Sequence, residues 1–311
     1  MLLLKKSLQK STPDLSKEKQ GDLVAVVGPT ATGKTALALD LAEVLNAEVI
    51  CADSVTAYRR LTIGAAKPSL EDQRRVPHHL LDICEPTHRL TVAEFVREAQ
   101  SALRAIWSRG KTALVVGGSG LYIDALLYGY SFEDSDFKSD PAALAELETL
   151  SLAELQERVD SLYPSSLNES DHANRRRLIQ VILRGLPGSS DRLKRDYECV
   201  LLGLDRPDDV LKTSISERSA NMLEAGFIEE VRHLLALYGP SIPCLQSVGY
   251  RQVVDFLSGE GSVDELAEAI DRATWQLVRK QRTWFRRADD IVWIRDAQES
   301  MTVLRKNGYN A

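Results

Sequence analysis

Residues 28–35 have the composition and spacing of a loop that binds phosphate groups. The glycines in this segment allow a tight turn in which consecutive N–H groups point into one concavity, and a helix that starts there adds partial positive charge. The Lys34 ammonium supplies a full charge, and the Thr35 hydroxyl is placed to ligate Mg²⁺. The segment therefore predicts a site for a polyphosphate and a magnesium ion. Its residues are Gly28, Pro29, Thr30, Ala31, Thr32, Gly33, Lys34 and Thr35.

Asp53 is the candidate general base. It follows the apolar run 47–51, so in a parallel sheet it would end a strand beside the phosphate loop. A carboxylate at that place can accept a proton from an acceptor nucleophile. The alternative is an Asp that closes a turn or caps a helix, because Asp and the adjacent Ser54 favour both.

The end of a later apolar run, residues 112–116, argues against one class of enzyme. An ATPase normally has an acidic residue there, which holds Mg²⁺ and orients the attacking water. In this chain the run continues into Gly117 and Gly118. The pattern disfavours a motor that is driven by hydrolysis.

Residues 272–287 form the candidate nucleic-acid surface. The segment has six basic residues and no acidic one, whereas the whole chain has a net charge of −6. As a helix it would place Arg272, Gln276, Arg279, Thr283 and Arg286 on one face. Basic residues interleaved with Trp275, Trp284 and Phe285 suit a phosphate backbone. The alternative is a solvated basic face that balances acidic neighbours, with the aromatic residues in the core.

These groups need a scaffold, and the apolar periodicity predicts one. Strands are predicted at residues 23–27, 47–51, 80–83, 112–116, 199–204 and 291–294, with helices between them, including 92–107, 142–148 and 152–162. Continuous apolar strands separated by helices predict an α/β fold with a parallel sheet covered on both faces. Its functional site should lie beyond the carboxyl ends of the strands.

Changes in composition along the chain predict its organisation. We expect a disordered tail at 1–20, a catalytic core with the phosphate loop at 21–131, and a helical insertion at 132–195. Residues 196–311 return to the core and end with the basic helix.

Four isolated cysteines and the absence of an 18–20-residue apolar run favour a reduced, cytoplasmic protein that is not in a membrane. The pair His78 and His79 has no partner residues at metal-ligand spacing and is interpreted as loop structure.

Taken together, these segments resemble the tRNA dimethylallyltransferases, which are also called tRNA isopentenyltransferases. The similarity runs from Leu23 to about Arg287, and the segments follow the order of the family. They are residues 28–35, Ala52-Asp53-Ser54 with Tyr58, residues 63–68, 77–83 and 116–122, Asn174 with Arg176 and Arg177, residues 226–231 and 248–251, and Gln281 with residues 283–286.

The resemblance implies a fold with a phosphate loop and a helical insertion that contacts a tRNA anticodon stem-loop. It implies transfer of a dimethylallyl group from dimethylallyl diphosphate to N6 of the adenosine 3′ of the anticodon, by a monomer that uses Mg²⁺ on Thr35. Lys34 would stabilise the leaving group, Asp53 would accept the N6 proton, and Ser119 would line the channel. The implied tRNA contacts are Asp53, Ser54, Val55, Thr56, Ser119, Arg176, Arg177, Gln180, Gly249, Tyr250, Arg251, Arg279, Lys280, Gln281, Thr283, Trp284 and Arg286.

Several positions depart from the family pattern, and many of them face tRNA in the family. Other readings therefore stay open: an adenylate isopentenyltransferase that uses free AMP, ADP or ATP, a P-loop kinase of small metabolites, and an RNA-binding relative without catalysis. The basic segment 272–287 and the residues around Arg176 favour tRNA, because a mononucleotide needs neither. The departures are Thr56 in place of Gln, Ala65 and Ser119 in place of Thr, and Leu144, Gln180, Ser214 and Trp275 in place of Arg.

Overall fold

The computed structural model describes residues 21–128, 141–163, 172–184, 196–259 and 261–310. The predicted tail 1–20 and parts of the predicted insertion lie outside them. The described residues contain a parallel six-stranded sheet in the order β3-β2-β4-β1-β5-β6, so the predicted α/β class is confirmed. The strands are β1 Leu23–Val27, β2 Ala47–Cys51, β3 His78–His79, β4 Thr112–Gly117, β5 Val200–Leu204 and β6 Val292–Ile294.

The central strand β1 is covered on both faces, as its unbroken apolar sequence predicts. All five of its residues are completely buried. Val27 pairs with Gly117 of β4 and with Gly203 of β5, so these three strands end at the same level. The chain leaves β1 through Gly28, where a Cβ atom would lie 2.1 Å from the carbonyl oxygen of Leu204. Glycine is therefore required where the phosphate loop begins.

The prediction of a strand at 80–83 is wrong. The strand that pairs with β2 is the two-residue β3, which ends at His79. Leu80 and Asp82 adopt positive φ angles of 69° and 55°, which an extended strand does not allow. Residues 80–83, three of which are apolar, therefore belong to a turn.

The described residues also form helices in both parts of the chain. They are α1 Lys34–Val44, α2 Leu70–Arg75, α3 Val92–Ser108, α4 Gly120–Leu127, α5 Pro141–Thr149, α6 Leu152–Leu162, α7 Arg175–Arg184, α8 Asp208–Glu224, α9 Phe227–Tyr238, α10 Tyr250–Ser258, α11 Val263–Phe285 and α12 Ala297–Lys306.

Capping boxes explain where several of these helices begin. Thr91 with Glu94 starts α3, Ser151 with Glu154 starts α6, and Ser262 starts α11. In each box the hydroxyl accepts a bond from a backbone N–H of the first turn, while the acidic side chain accepts one from the cap residue. Helix α6 has the predicted bounds. None of the helices in the described part of the chain is long and apolar enough to cross a membrane.

The chain divides into two compact units. One comprises Met1–Leu127 with Arg195–Ala311 and contains the sheet, and the other is Tyr128–Lys194. The second unit has a core of its own, in which Leu155 and Val159 of α6 pack with Leu178 and Val181 of α7.

Candidate active site

A pocket of about 300 Å³ lies at the carboxyl ends of β1, β2 and β4. The phosphate loop forms one side of it, through Thr30, Gly33, Lys34 and Thr35. Gly33 has a φ angle of +90° and starts α1, so the first free N–H groups of that helix belong to the loop. The buried hydroxyl of Thr32 donates to the Pro29 carbonyl at 3.0 Å, which fixes the turn. The predicted phosphate loop therefore leads directly into the N-terminus of helix α1.

The Lys34 ammonium is half-buried in this pocket and donates to the Pro29 carbonyl. Burial, together with the smaller effect of the nearby Arg218 guanidinium, lowers its pKa to about 7, although Asp53 and Asp205 oppose the shift. An anion that enters the pocket would stabilise the charged form. The site is thus built for a ligand that brings its own negative charge.

Arg218 is a second cation of the site, and the sequence analysis missed it. It lies on α8, lines the pocket, and donates from Nη1 to the Thr30 hydroxyl at 3.0 Å. Burial lowers the pKa of its guanidinium, while Asp53 raises it. One signal was available in the sequence. Ser214 and Arg218 are four residues apart, so both would lie on one face of a predicted helix.

Asp53 lines the same pocket and interacts electrostatically with both Lys34 and Arg218. Its Oδ1 accepts hydrogen bonds from the backbone N–H groups of Val55 at 2.7 Å and Thr56 at 3.2 Å. The carboxylate therefore closes a turn, as one of the two interpretations predicts. The same bonds hold it at the edge of the pocket, where the other interpretation requires a base.

The loops after β2 and β4 meet beside Asp53. The Ser54 N–H donates to the Ser119 hydroxyl at 3.2 Å, which joins the two loops. Thr56 also lines the pocket and is buried, and its hydroxyl makes no hydrogen bond within the part of the chain that the structure describes. Ser54 is exposed, and Val55 is half-buried against a neighbouring apolar cluster.

The remaining wall of the pocket is apolar or uncharged. Burial, with a smaller effect from Asp53, raises the pKa of the Cys51 thiol to about 12, so this thiol stays protonated. Burial lowers the pKa of His78, whose Nδ1 lies 2.7 Å from the Val76 carbonyl. A pocket with one cationic side and one apolar side suits a ligand with an anionic head and a short hydrocarbon tail. The apolar residues are Ala38, Val49, Ala65, Ala66, Pro68 and Val116.

Gln281 of α11 ties the phosphate loop to the loop after β4. Its Oε1 accepts from the Thr30 N–H at 2.9 Å, and its Nε2 donates to the Gly118 carbonyl at 2.9 Å. A Cβ atom at Gly118 would lie 2.4 Å from that Nε2. The family resemblance implied a tRNA contact for Gln281. In the structure both ends of its amide are hydrogen-bonded within the protein, so the observed role of Gln281 is to join two loops of the pocket.

The C-terminal end of α11 has an inner and an outer face. On the inner face the Trp284 indole donates to Asp124 at 2.8 Å, and Arg282 pairs with Asp205 at 2.9 Å and also with Asp208. The Arg282 side chain is only 12% exposed. The basic segment is therefore not one solvated face, because Arg282 and Trp284 are used within the protein. The outer face exposes Arg279, Lys280, Thr283 and Arg286.

Tyr250 does not lie at a surface. Its ring is completely buried against Phe227, and its hydroxyl donates to Glu230. A side chain in that position cannot contact tRNA, contrary to the role that the resemblance implied. Gly249 is also buried, with a φ angle of +87°, whereas Arg251 is exposed.

The predicted basic residues of the second unit lie on α7. Arg177 is half-buried, its backbone N–H is bonded to the Asn174 side chain at 3.3 Å, and its Nε has no hydrogen-bond partner among the described residues. Arg175 is bonded to the backbone carbonyls of Glu148 and Leu150. The side chains of Arg176 and Gln180 lie outside the described part of the structure.

Comparison of this sequence with known proteins shows which family it is similar to. A family model described as "IPP transferase" matches residues 56–288, and one described as "Isopentenyl transferase" matches residues 21–83. The chain is 39% identical to tRNA dimethylallyltransferase 1 of Citrifermentans bemidjiense over 298 residues, which covers 93% of this chain and 96% of the relative. It is 38% identical to a tRNA dimethylallyltransferase of Geobacter metallireducens, covering 90% and 94%.

A solved structure has the same architecture. The full-length tRNA isopentenylpyrophosphate transferase of Bacillus halodurans superposes with a TM-score of 0.69 at 30% identity, covering 93% of this chain and 95% of that one.

Proposed function

The chain belongs to the IPP transferase family, and from that premise we propose that it modifies tRNA. The reaction is transfer of a dimethylallyl group from dimethylallyl diphosphate to N6 of the adenosine 3′ of the anticodon. One observation carries the proposal: a single pocket joins a cationic phosphate loop, an apolar wall and the Asp53 carboxylate. These three features match the diphosphate, the hydrocarbon tail and the attacking amine.

The pocket residues have complementary tasks in this reaction. The allylic C–O bond breaks and its electron pair leaves on the diphosphate, while the N6 lone pair forms the new C–N bond. Lys34, Arg218 and the loop N–H groups stabilise the charge that grows on the diphosphate. Asp53 accepts the proton that N6 loses. The target base must leave its stack to reach this pocket.

The residues present fit a magnesium ion that is held together with the diphosphate. Mg²⁺ in phosphate sites takes few protein ligands and completes its shell with phosphate oxygens and water. The exposed Thr35 hydroxyl in the first turn of α1 is the protein ligand that we propose, and Asp53 lines the same pocket. When bound, the ion would supply positive charge to the leaving group.

Removal of divalent cations tests this assignment. Excess EDTA is expected to lower the transfer rate by about tenfold, because one charged partner of the diphosphate is lost while the two side-chain cations remain. Readdition of Mg²⁺ should restore the rate. Full activity in EDTA would contradict the metal assignment, and Thr35→Val, which keeps the shape without the hydroxyl, should show a weaker dependence on Mg²⁺.

We propose that tRNA contacts the outer face of α11, where Arg279, Lys280 and Arg286 are exposed. The chain without residues 272–287 has a net charge of −12. Long-range attraction to RNA is therefore poor, and the contacts must concentrate on a few basic segments. In the second unit we propose a contact from Arg177 of α7, whose side chain is half-buried.

Arg286→Ala is expected to raise the tRNA KM several-fold with little change in the KM of dimethylallyl diphosphate. Each phosphate contact releases counterions, so loss of one contact should reduce the log–log salt slope of tRNA binding by roughly 0.7–0.9. Binding measured at several salt concentrations gives this slope. Arg282→Ala is the contrasting variant, since the inner-face ion pairs predict a loss of melting temperature instead. An unchanged slope in both Arg279→Ala and Arg286→Ala would place the RNA elsewhere.

A direct assay separates the proposal from its alternatives. The protein is incubated with labelled dimethylallyl diphosphate and then with unmodified tRNA, with AMP, or with ATP and a set of metabolites. Label in tRNA alone supports the proposal. Label in AMP indicates an adenylate isopentenyltransferase, phosphate transfer from ATP indicates a kinase, and tRNA binding without transfer indicates an RNA-binding relative.

We further propose that the active form is a cytoplasmic monomer. The resemblance to the family implies a monomer. None of the four cysteines, which all lie in the described part of the chain, forms a disulfide bond, and this suits a reducing compartment. Light scattering of the active fraction, alone and with tRNA, tests the oligomeric state.

A further inference from the structure

The segment from Thr62 to Pro68 forms part of the apolar wall of the pocket. Ala65, Ala66 and Pro68 all line it. Ala66 adopts a positive φ angle of 47°, so the chain turns sharply where it meets the pocket. A loop of this kind needs partners for its backbone N–H groups, because a buried N–H without one is costly.

Glu230 of α9 supplies those partners. Its Oε2 accepts hydrogen bonds from the N–H groups of Thr62 at 2.8 Å and Ile63 at 2.7 Å, and its Oε1 accepts from Gly64 at 3.2 Å. One carboxylate thus holds three consecutive backbone groups of the wall. Hydrogen bonds to an ionised acceptor are about twice as strong as neutral ones.

Tyr250 and Phe227 complete this arrangement from the other side. The Tyr250 hydroxyl donates to Glu230 Oε1 at 2.7 Å, which orients the carboxylate. The two rings pack edge to face, with centroids 5.0 Å apart. A Cβ atom at Gly64 would lie 2.0 Å from the Phe227 ring, so only glycine lets the loop approach this closely.

A second contact holds the far end of the same loop. The Lys67 ammonium donates to the Tyr58 carbonyl at 2.6 Å and to Asp82 at 2.7 Å. The wall segment is therefore held at both ends, by an anion at residues 62–64 and by a cation at residue 67. Three separate sequence motifs, at residues 63–68, 226–231 and 248–251, meet in this one arrangement.

We propose that Glu230, oriented by Tyr250, is a positioning residue that fixes the pocket wall against which the hydrocarbon tail of the prenyl donor packs. The inference rests on the proposed function for the identity of the donor. Glu230 touches no reacting atom. It acts through the backbone of Thr62, Ile63 and Gly64, which sets where Ala65 and Ala66 lie.

The test is the difference in affinity between dimethylallyl diphosphate and pyrophosphate, measured by calorimetry without an acceptor. In Glu230→Gln, one of the two acceptor oxygens becomes an NH₂ group, so part of the loop loses its partner. We expect affinity for dimethylallyl diphosphate to fall about tenfold and affinity for pyrophosphate to change less than about twofold, because the phosphate loop and Arg218 hold the latter. The matched control is Glu229→Gln, since Glu229 is exposed and pairs only with Arg232 among the described contacts.

Two further results bear on the proposal. Tyr250→Phe keeps all three backbone bonds to Glu230, so a smaller loss of prenyl-donor affinity is expected than in Glu230→Gln, and this variant serves if Glu230→Gln fails to fold. Equal losses for both ligands, or an unchanged ratio of the two affinities, would overturn the assignment to Glu230. A wild-type protein that does not bind the prenyl donor more tightly than pyrophosphate would instead contradict the proposed function.

Discussion

Replacing Asp53 by Asn is expected to slow prenyl transfer by about 10²–10⁴-fold, which is the usual cost of removing a general base. The Asn side chain keeps an oxygen that can accept from the Val55 and Thr56 N–H groups, so the turn at Asp53 should survive. What the variant loses is the charge and the ability to take a proton. Single-turnover transfer to tRNA, with saturating donor, measures the chemical step directly.

Donor binding is the internal control for this variant. The groups assigned to the diphosphate are Lys34, Arg218 and the loop N–H groups, so Asp53→Asn should leave pyrophosphate affinity largely intact. A rate above about a tenth of that of the wild type would contradict the assignment of Asp53 as the base. A parallel loss of pyrophosphate affinity and melting temperature would show that the carboxylate serves the turn alone.

Lys34→Ala is expected to weaken binding of dimethylallyl diphosphate and pyrophosphate alike, by about ten- to a hundredfold, since a charge-assisted contact to the leaving group is lost.

The affinity of the wild-type protein for these ligands should also depend on pH. The pKa of free Lys34 is about 7, and a bound anion favours the charged form. Binding therefore takes up a proton above that pH, and affinity falls by up to about tenfold for each further pH unit.

Lys34→Arg separates this effect from titration of the ligand. The guanidinium stays charged across the range, so the additional decrease in affinity above about pH 7 should disappear in this variant. Pyrophosphate titrations between about pH 6 and pH 9, repeated in buffers of different ionisation enthalpy, give the number of protons taken up. Identical pH profiles for the wild type and Lys34→Arg would mean that Lys34 is already charged in the free protein.

The parts of the fold that depend on local pattern could be predicted from the sequence. Helix α6 has a capping box and regular periodicity, and its predicted bounds were correct. Strand β1 is buried on both faces and is apolar throughout. Three of the four residues 80–83 are also apolar, but the positive φ angles of Leu80 and Asp82 arise from the contacts of that turn rather than from the local sequence. Apolar character marks burial, and it does not by itself distinguish a strand from a buried turn.

The residues of the site divide in the same way: some can be predicted from the local sequence, and others depend on contacts between distant parts of the chain. The phosphate loop is contiguous, so its spacing identified it. Arg218 reaches that loop from a helix 188 residues away in sequence, and Gln281 reaches it from 251 residues away. Helical periodicity predicts that Arg279, Thr283 and Arg286 share one face of α11, but it does not identify the neighbours of the other basic and aromatic residues. The ion pairs of Arg282 with Asp205 and Asp208 show which side is inside.

The two faces of α11 have a consequence for how the enzyme could be changed. Gln281 joins two loops of the pocket, and Arg282 and Trp284 are bonded to Asp205 and Asp124 within the protein. The exposed residues of the same two turns, Arg279, Lys280 and Arg286, take no part in those bonds. Under the proposed tRNA contact, substitutions on the outer face are expected to alter the choice of RNA without disturbing the chemistry of the donor. On that proposal the helix carries the determinants of the two substrates on separate faces, so its outer face is the place to redirect the enzyme toward a different acceptor.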